Sequence, residues 1–290
     1  MTVHFQCNLR CKHCMIEDTM DRLKPETLES LYEIIELNRR TGQWEGIIFT
    51  GSEVTLWNDL PKFASIARAN GFKHVRIQTH GMRLSKKDYA HKLVESGVDE
   101  FFISLTAADA ITHDAITEVP GSFERTMRSF DVLDQIDGVR LISNTVITTR
   151  SYKQLHQIVR NLSHVENLVQ MDFWNYWPMS ERDDKDLIVE HSELLPHLKL
   201  ALNEALQIGR EVELKNFPEC LLGPLQNTLI NDQPQLFIDD AFWPEFMRNR
   251  FHQCVYKDSC AAEQCLGLNT AYVDKFGWQE DILVPYPIPD

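Results

Sequence analysis

Apolar residues along the chain follow two patterns in turn, short continuous runs and longer stretches with helical spacing. Residues 46–49 form an apolar run typical of a buried strand, whereas apolar residues between 24 and 40 return at three- and four-residue steps, which predicts an amphipathic helix. The two patterns then repeat. They predict strands at 2–6, 46–49, 75–78, 100–104, 139–148, 168–174 and 211–214, and helices at 24–40, 60–70, 86–96, 122–135, 152–162 and 194–208.

Strands that alternate with helices pair in parallel through right-handed crossovers, so the pattern predicts an α/β fold. About six such units occupy residues 1–210, which suffices for a barrel or an open barrel. In such folds the functional groups lie on loops at the carboxyl ends of the strands. We therefore expect the polar residues at strand ends to meet at one mouth. These are Cys7 and its successors, Gly51, Ser52, Glu53, Thr79, His80, Gly81, Ser104 and Asn144.

Residues 211–290 interrupt the alternation and carry four of the seven cysteines in a loop-rich segment. So little regular structure buries little apolar surface, and a metal site would supply the missing stability. The predicted organisation is therefore a barrel over residues 1–210 and a C-terminal loop-rich cysteine extension over residues 211–290.

The cysteines form two groups, one near the start and one near the end. The first, Cys7, Cys11 and Cys14, has the spacing C-x3-C-x2-C. An odd count and tight clustering favour metal ligation in a reducing compartment over disulfides. Three thiolates can hold an iron–sulfur cluster with one iron open. Zinc also binds clustered thiolates and here would need His4 or His13 as its fourth ligand.

Composition and charge narrow the function classes. The chain has 290 residues, of which 43% are hydrophobic and 10% aromatic, as in a globular protein with a full core. The net charge of −14 argues against a nucleic-acid partner and favours a neutral or basic substrate. No apolar run is long enough to cross a bilayer, and no export signal is visible near the start. We expect a cytoplasmic protein without a membrane partner.

The strand-end residues resemble the motifs of radical S-adenosylmethionine (SAM) enzymes, in order, over about the first 210 residues. The cysteine motif at 7–14 matches the family's cluster loop after the first strand. Residues 51–53 stand at the Gly-Gly-Glu turn after the second strand, and residues 79–81 at the Thr-Asn-Gly turn after the third. His113-Asp114 and residues 121–123 resemble the branch that modifies peptides and cofactors. The resemblance implies a (β/α)6 partial TIM barrel.

The resemblance also implies the chemistry. Cys7, Cys11 and Cys14 would hold a 4Fe–4S cluster whose open iron binds the amino and carboxylate groups of SAM. Reduction by a donor such as a flavodoxin or ferredoxin would cleave the sulfonium and release a 5′-deoxyadenosyl radical, which abstracts a substrate hydrogen atom. The methionine ammonium would be received by a carboxylate and adjacent backbone. The residues that the resemblance assigns to SAM are Glu53, Gly51, Ser52, Thr79, Ser104, Asn144 and His13.

Three positions depart from the family pattern. His13 stands where the family usually has an aromatic residue near adenine, and a histidine can still stack there. Ser52 replaces the second glycine and adds a side chain where backbone approaches the ligand. His80 replaces the asparagine of the third turn. None of these changes removes a cluster ligand.

The C-terminal cysteines resemble the auxiliary-cluster extension of the SPASM/twitch branch, including the Cys-x-Gly at 265–267 and Tyr272. This implies a second 4Fe–4S cluster without an open iron, suited to electron relay or structural support. Tetrahedral zinc stays open as an alternative, because the spacing alone does not separate the two. The ligands in either case are Cys220, Cys254, Cys260 and Cys265.

Three functions follow as hypotheses. The first is a radical SAM oxidoreductase or maturase that modifies a ribosomally made peptide by crosslinking or epimerisation. The second is a radical SAM dehydrogenase or epimerase of a sugar, alcohol or nucleoside. An auxiliary cluster suits net oxidation, because a substrate radical must lose an electron. The third hypothesis, from another class, is a non-catalytic zinc or iron–sulfur protein.

Four further predictions concern residues that are not assigned to the cluster or to SAM. Met171 and Phe173 alternate with polar neighbours and are expected in the core. Residues 174–177 end the sixth strand and either floor a pocket or pack. His113 is expected at the surface or at the start of a helix, and the charged run 181–186 in a solvated loop.

Overall fold

Seven strands form one parallel sheet that follows the order of the sequence. The computed structural model describes residues 1–17 and 22–288, and within them each strand pairs with its neighbours along the chain. This confirms the predicted α/β fold, an open barrel of the partial TIM type. The strands are β1 (Thr2–His4), β2 (Gly46–Gly51), β3 (His74–Thr79), β4 (Glu100–Ser104), β5 (Arg140–Ile147), β6 (Leu168–Asn175) and β7 (Glu211–Lys215).

Helices connect the strands, and every interstrand helix predicted from the sequence is present with shifted ends. The helix predicted from residue 24 begins at Leu28, because the Thr27 hydroxyl accepts a hydrogen bond from the Ser30 N–H and caps it there. The α-helices are α1 (Leu28–Thr41), α2 (Leu60–Ala69), α3 (Lys87–Glu95), α4 (Ala110–Thr117), α5 (Ser122–Leu133), α6 (Leu155–Leu162), α7 (His191–Gln207), α8 (Trp243–Phe246) and α9 (Thr270–Phe276).

Side chains along each strand alternate between the helix-covered face and the barrel interior. Phe49, Ile77 and Phe101 point to the covered face and are fully buried. Burying each such side chain contributes about 1.5–3 kcal/mol of stability relative to exposure. This apolar layer is what holds the helices against the sheet.

The interior face of the sheet carries charged side chains near the amino ends of the strands. Arg76 donates from Nε to Glu100 at 2.6 Å, and Arg140 donates from Nε to the other Glu100 oxygen at 3.1 Å. A cavity of about 460 Å3 lies beside this trio at the amino ends of the strands. A closed TIM barrel fills its interior with layers of aliphatic side chains. The open barrel instead keeps polar space along its axis.

An irregular segment crosses the gap between the two edge strands; we call residues 229–237 the closing segment. At one end, the Ile230 N–H donates to the Leu214 carbonyl of β7 at 3.0 Å, and Lys215 Nζ donates to the Ile230 carbonyl at 2.8 Å. At the other end, the Thr2 N–H of β1 donates to the Phe237 carbonyl at 3.0 Å. The barrel wall is thus completed by a segment that is not a strand of the sheet.

Helix α4 was not predicted from the sequence. Its Ile111 is 87% exposed, so the apolar spacing that marks an amphipathic helix is missing. The helix begins instead where Asp109 accepts hydrogen bonds from the N–H and hydroxyl of Thr112. Local capping, rather than burial of an apolar face, marks its start.

The C-terminal extension packs onto the barrel through one continuous core. The Tyr272 ring stacks on His191 at 4.1 Å between centroids, and its hydroxyl accepts from the His191 N–H at 2.9 Å. The sheet continues into β7, just beyond the predicted boundary at residue 210. Within the described residues, no helix is both long and apolar enough to span a membrane.

Candidate functional site

A cavity of about 730 Å3 opens at the carboxyl ends of the strands. The mouth predicted from the strand-end residues therefore exists in the structure. Nine of the residues predicted for the first cluster and SAM line it, namely Cys7, Cys11, Cys14, His13, Gly51, Ser52, Thr79, Ser104 and Asn144. Of the predicted mouth residues, Glu53 and Gly81 do not line it.

The cysteine loop is fixed by backbone hydrogen bonds to the last turn of α4. The Arg10 N–H donates to the Thr117 carbonyl and the Lys12 N–H to the Ile116 carbonyl, each at 3.0 Å. Within the loop, the Leu9 N–H donates to Cys7 Sγ at 3.4 Å. The three sulfurs are therefore presented to the cavity by a loop whose backbone is anchored.

The surroundings of the cysteine loop raise the pKa of its thiols and so disfavour three thiolates without a bound cation. Burial raises the pKa of the Cys7 thiol to about 11, with further raising by Glu53 and Cys14. Burial and the two neighbouring cysteines also raise the pKa of Cys11. Three thiolates can meet there only with a cationic partner that offsets their repulsion, which is what a metal centre provides.

The turn after β2 lies tightly against the end of β1. The Ser52 N–H donates to the His4 carbonyl at 2.8 Å, and the Glu53 N–H donates to the Gln6 carbonyl at 3.0 Å. At Gly51, with φ of 143°, an added Cβ would lie 1.9 Å from the His4 carbonyl oxygen. Only glycine fits there, which explains the first glycine of the motif.

The Glu53 carboxylate faces the protein and not the cavity, whereas the sequence predicts that it contacts a methionine ammonium. Its side chain is fully buried. Oε1 accepts from the N–H and hydroxyl of Thr55 and from the Thr79 hydroxyl, at 3.0, 2.5 and 2.6 Å. Oε2 accepts from the His80 N–H at 2.9 Å. Glu53 thus connects the second turn to the third.

His80 extends this connection to the cysteine loop. Its Nδ1 accepts from the Met82 N–H at 3.2 Å, so Nε2 carries the proton. Nε2 lies 2.7 Å from Asn8 Oδ1 and 3.1 Å from Glu53 Oε2, and donates to this pair of oxygens. The histidine that replaces the family's asparagine therefore joins the two turns to the loop.

Several buried polar atoms of the cavity wall have no hydrogen-bond partner among the described residues. They are Asn144 Oδ1, Thr106 Oγ1, His13 Nδ1 and His113 Nε2, all on residues that line the cavity. An unpaired buried polar group costs about 1–3 kcal/mol. Four of them around one cavity indicate a polar ligand.

Several lining residues were not predicted as site residues, and two of them, His113 and Thr106, carry an unpartnered buried atom. His113 lies in the first turn of α4, which confirms the expected place at the start of a helix, but it is 1% exposed, so the alternative place at the surface is wrong. The pairing of His113-Asp114 with residues 121–123 was the sequence signal that could have found it. Thr106 follows β4 without a motif, and nothing in the sequence marked it.

Burial and ring contacts test the predictions for residues 171–177, at the end of β6 and beyond it, and for the charged run 181–186. Met171 and Phe173 are fully buried, which confirms their place in the core. Trp174 lines the cavity, whereas Trp177 stacks on Phe251 with centroids 3.9 Å apart. Five of the six residues in the run 181–186 are exposed and lie outside helices and strands, which confirms the predicted solvated loop. Asp183 is the exception, because its side chain is only 1% exposed and pairs with Lys275.

The mouth of the cavity carries basic residues although the protein is acidic. Lys12 pairs with Glu118 at 3.3 Å, and Lys185 pairs with Glu17 at 2.5 Å. The lining residues Arg10 and Arg150 are exposed and form no ion pair with any described residue.

The four C-terminal cysteines also meet. Cys220, Cys254, Cys260 and Cys265 line one cavity of about 30 Å3. The Gly267 N–H donates to Cys265 Sγ at 3.4 Å, as Leu9 does to Cys7. Across the described residues, no three histidine, cysteine, aspartate or glutamate side chains surround a single-ion site. The seven sulfurs line two cavities instead.

Comparison with known proteins agrees with this geometry. A model of the Radical SAM superfamily matches residues 1–162. The AdoMet-dependent heme synthase of Nitratidesulfovibrio vulgaris is 29% identical over 163 residues, 55% of this chain and 43% of that protein. The probable GTP 3′,8-cyclase of Methanococcus maripaludis is 24% identical over 223 residues, 76% of this chain and 71% of that protein.

Solved structures share the fold. Streptococcus suis SuiB bound to precursor peptide SuiA superimposes with a TM-score of 0.58 at 18% identity, over 71% of this chain and 45% of that chain. The chain thus spans less than half the length of SuiB and of the heme synthase it matches.

Proposed function

Because this chain belongs to the radical SAM superfamily, we propose that it binds a 4Fe–4S cluster through Cys7, Cys11 and Cys14 and cleaves SAM reductively. One observation carries the proposal: the three cysteines and the turns after β2 and β3 line a single cavity. When bound, the cluster and SAM supply a 5′-deoxyadenosyl radical that abstracts a hydrogen atom from the substrate. The reducing electron comes from a donor such as a flavodoxin or ferredoxin.

The residues present fit these groups. The three half-buried cysteines suit a cationic partner, and the cluster would offer three irons to them and a fourth to SAM. The unpartnered Asn144 Oδ1 and Thr106 Oγ1 suit the hydroxyl and amino groups of a nucleoside. Gly51, which fits closely against the His4 carbonyl, holds the backbone of its turn at the cavity.

In this proposal, the residues that line or support the cavity have different roles. Gly51 and Ser52 line the cavity and receive the methionine ammonium through their backbone. Ser104 and Asn144 lie opposite each other in the register of β4 and β5 and bind ribose or carboxylate. Glu53 does not touch SAM; it holds the turns in place through Thr79 and His80. His13 lies between two cluster ligands and stacks near adenine.

For the substrate, we propose oxidative modification of a ribosomally made peptide, with a SuiB-like fold as support. Arg10 and Arg150 at the mouth form no ion pair with a described residue and suit an anionic group, which we propose in place of the neutral or basic substrate expected from net charge. A short gene for a precursor peptide beside the gene of this protein would support a peptide substrate. Small-molecule oxidation is the second candidate, because curated relatives include a heme synthase and a GTP cyclase.

Anaerobic reconstitution tests the proposed reaction. Protein incubated with iron and sulfide should turn brown and, with dithionite and SAM, release 5′-deoxyadenosine measurable by chromatography. Heat-denatured protein carried through the same steps is the control. A colourless protein that binds zinc and releases no nucleoside would place the chain among non-catalytic metal proteins.

We further propose that Cys220, Cys254, Cys260 and Cys265 hold a second 4Fe–4S cluster. All four line one cavity, and the raised pKa of Cys220, about 11 through burial, again calls for a cationic partner. With four thiolates the cluster has no open iron, so it relays electrons or supports the fold.

Replacing Cys254 and Cys260 together by alanine should lower iron by about four atoms per chain, the content of one cluster, while some SAM cleavage persists. Iron assay and 5′-deoxyadenosine formation measure the two effects. Ser259→Ala, at an exposed neighbouring position, is the matched control. Unchanged iron with one bound zinc would favour the tetrahedral zinc alternative.

A further inference from the structure

His113 is a buried histidine whose two ring nitrogens have different surroundings. It lies in α4 and lines the main cavity. Nδ1 is 3.0 Å from the Ser122 hydroxyl oxygen. Nε2 is buried and has no partner among the described residues. Which nitrogen carries the proton therefore decides what the ring offers to a ligand.

Asp114 determines that choice. Its carboxylate accepts from the N–H groups of Gly121 and Phe123, at 2.5 and 2.9 Å, and from the Ser122 hydroxyl at 2.8 Å. Although burial opposes it, these hydrogen bonds hold the pKa of Asp114 below its usual value. An ionised carboxylate only accepts, so the single hydroxyl proton of Ser122 goes to Asp114, and the Thr117 hydroxyl, 2.6 Å from Ser122 Oγ, donates to Ser122.

Ser122 then has only lone pairs left for His113. Nδ1 must carry a proton and donate it to Ser122 Oγ. Burial also lowers the pKa of His113 to about 4, which keeps the ring neutral. In the neutral ring, Nε2 is consequently an unprotonated acceptor, held in one orientation by the chain Asp114–Ser122–His113. Its lone pair needs an N–H or O–H group from a ligand.

The position of His113 indicates which ligand meets it. The carbonyls of Ile116 and Thr117, one turn further along α4, bind the cysteine loop. His113 and His13 also line the same cavity. Since His13 is adjacent to Cys14, the ligand next to His113 is the one bound over the cluster loop.

We propose that His113 is a SAM-binding residue whose Nε2 accepts a hydrogen bond from an N–H or O–H group of the adenosyl part of SAM. This inference rests on the proposed function. It makes His113 a binding residue for the cofactor, in addition to the strand-end residues of the family motifs.

Two substitutions separate Nε2 from the rest of the ring. In His113→Asn the side-chain amide reaches the position of Nδ1, so the contact with Ser122 is kept and Nε2 is lost. In His113→Gln the longer side chain brings the amide oxygen to the position of Nε2 and restores an acceptor. The matched control is His91→Asn, at an exposed position of α3.

The measurement is the Kd of SAM for anaerobically reconstituted protein, by equilibrium dialysis without reductant, together with iron content. In His113→Asn the Kd of SAM should increase about fivefold, because this corresponds to the loss of one hydrogen bond. His113→Gln should stay within about twofold of the wild type, as His91→Asn should.

Several outcomes would overturn the inference. The first is an unchanged affinity for SAM in His113→Asn, which would mean that Nε2 binds a second molecule in the cavity. The second is an equal loss of affinity in both His113 variants. The third is a loss of iron in His113→Asn. Wild-type protein that binds no SAM at all would instead refute the proposed function. The two failures are therefore distinguishable.

Discussion

Replacing Cys7, Cys11 and Cys14 with alanine abolishes the reductive cleavage of SAM in the proposed mechanism. The triple variant should release no 5′-deoxyadenosine above the background of the assay, because the cofactor then has no iron to bind. Its iron content should fall by about four atoms per chain. Each single variant should lose most of its cleavage as well, since the loop offers only these three thiolates to the cavity.

The fold should survive these substitutions. The loop remains anchored to α4 through the backbone of Arg10 and Lys12, so far-UV circular dichroism should match the wild type. The Cys254/Cys260 variant is the informative comparison, because it loses iron from the other cavity while keeping some cleavage. Cleavage that persists in the triple variant would refute the assignment of the three ligands.

Replacing Glu53 with alanine is expected to have the largest effect on stability. The carboxylate accepts from Thr55, Thr79 and His80, all buried. Without it their donors remain unpaired, and the free energy of unfolding should fall by about 3–5 kcal/mol, as when a buried network loses its charged member. Urea denaturation followed by circular dichroism measures this, and SAM affinity should fall with the loss of the turns.

Two further variants of glutamate residues sharpen this test. Glu33→Ala, at an exposed position of α1, should change stability by less than about 0.5 kcal/mol. Glu53→Gln keeps one acceptor oxygen but turns an amide N–H toward the His80 donors, so its stability should lie between those of Glu53→Ala and the wild type. A Glu53→Ala protein as stable as the wild type, with weak SAM binding, would instead indicate direct contact with the cofactor.

Features encoded by local spacing were predictable from the sequence. The strand at 46–49 and the helix before it follow from apolar periodicity alone, and both are present in the structure. Cys7, Cys11 and Cys14 lie within eight residues, so their spacing predicted that they meet at one site. Parallel pairing followed from the alternation of the elements, and it brought Gly51, Thr79 and Ser104 to the same mouth.

Features that depend on distant contacts were not predictable. The orientation of Glu53 is decided by donors on Thr79 and His80, more than twenty-five residues away along the chain. His113 is buried because α4 packs beneath the cysteine loop, and the exposed Ile111 hid that helix from periodicity. Net charge likewise does not locate Arg10 and Arg150 at the mouth, because it is a sum over the whole chain.

The closing segment has a consequence for how copies of this protein meet in solution. A parallel sheet that does not close leaves two outer strands whose free N–H and C=O groups could template pairing with another molecule. Here β1 and β7 each use some of these groups in hydrogen bonds to the closing segment, at Thr2 and Leu214. The backbone of the closing segment is irregular, so it does not offer a further strand a regular row of hydrogen-bonding groups. The wall therefore discourages intermolecular β-pairing, and loosening the segment would favour aggregation.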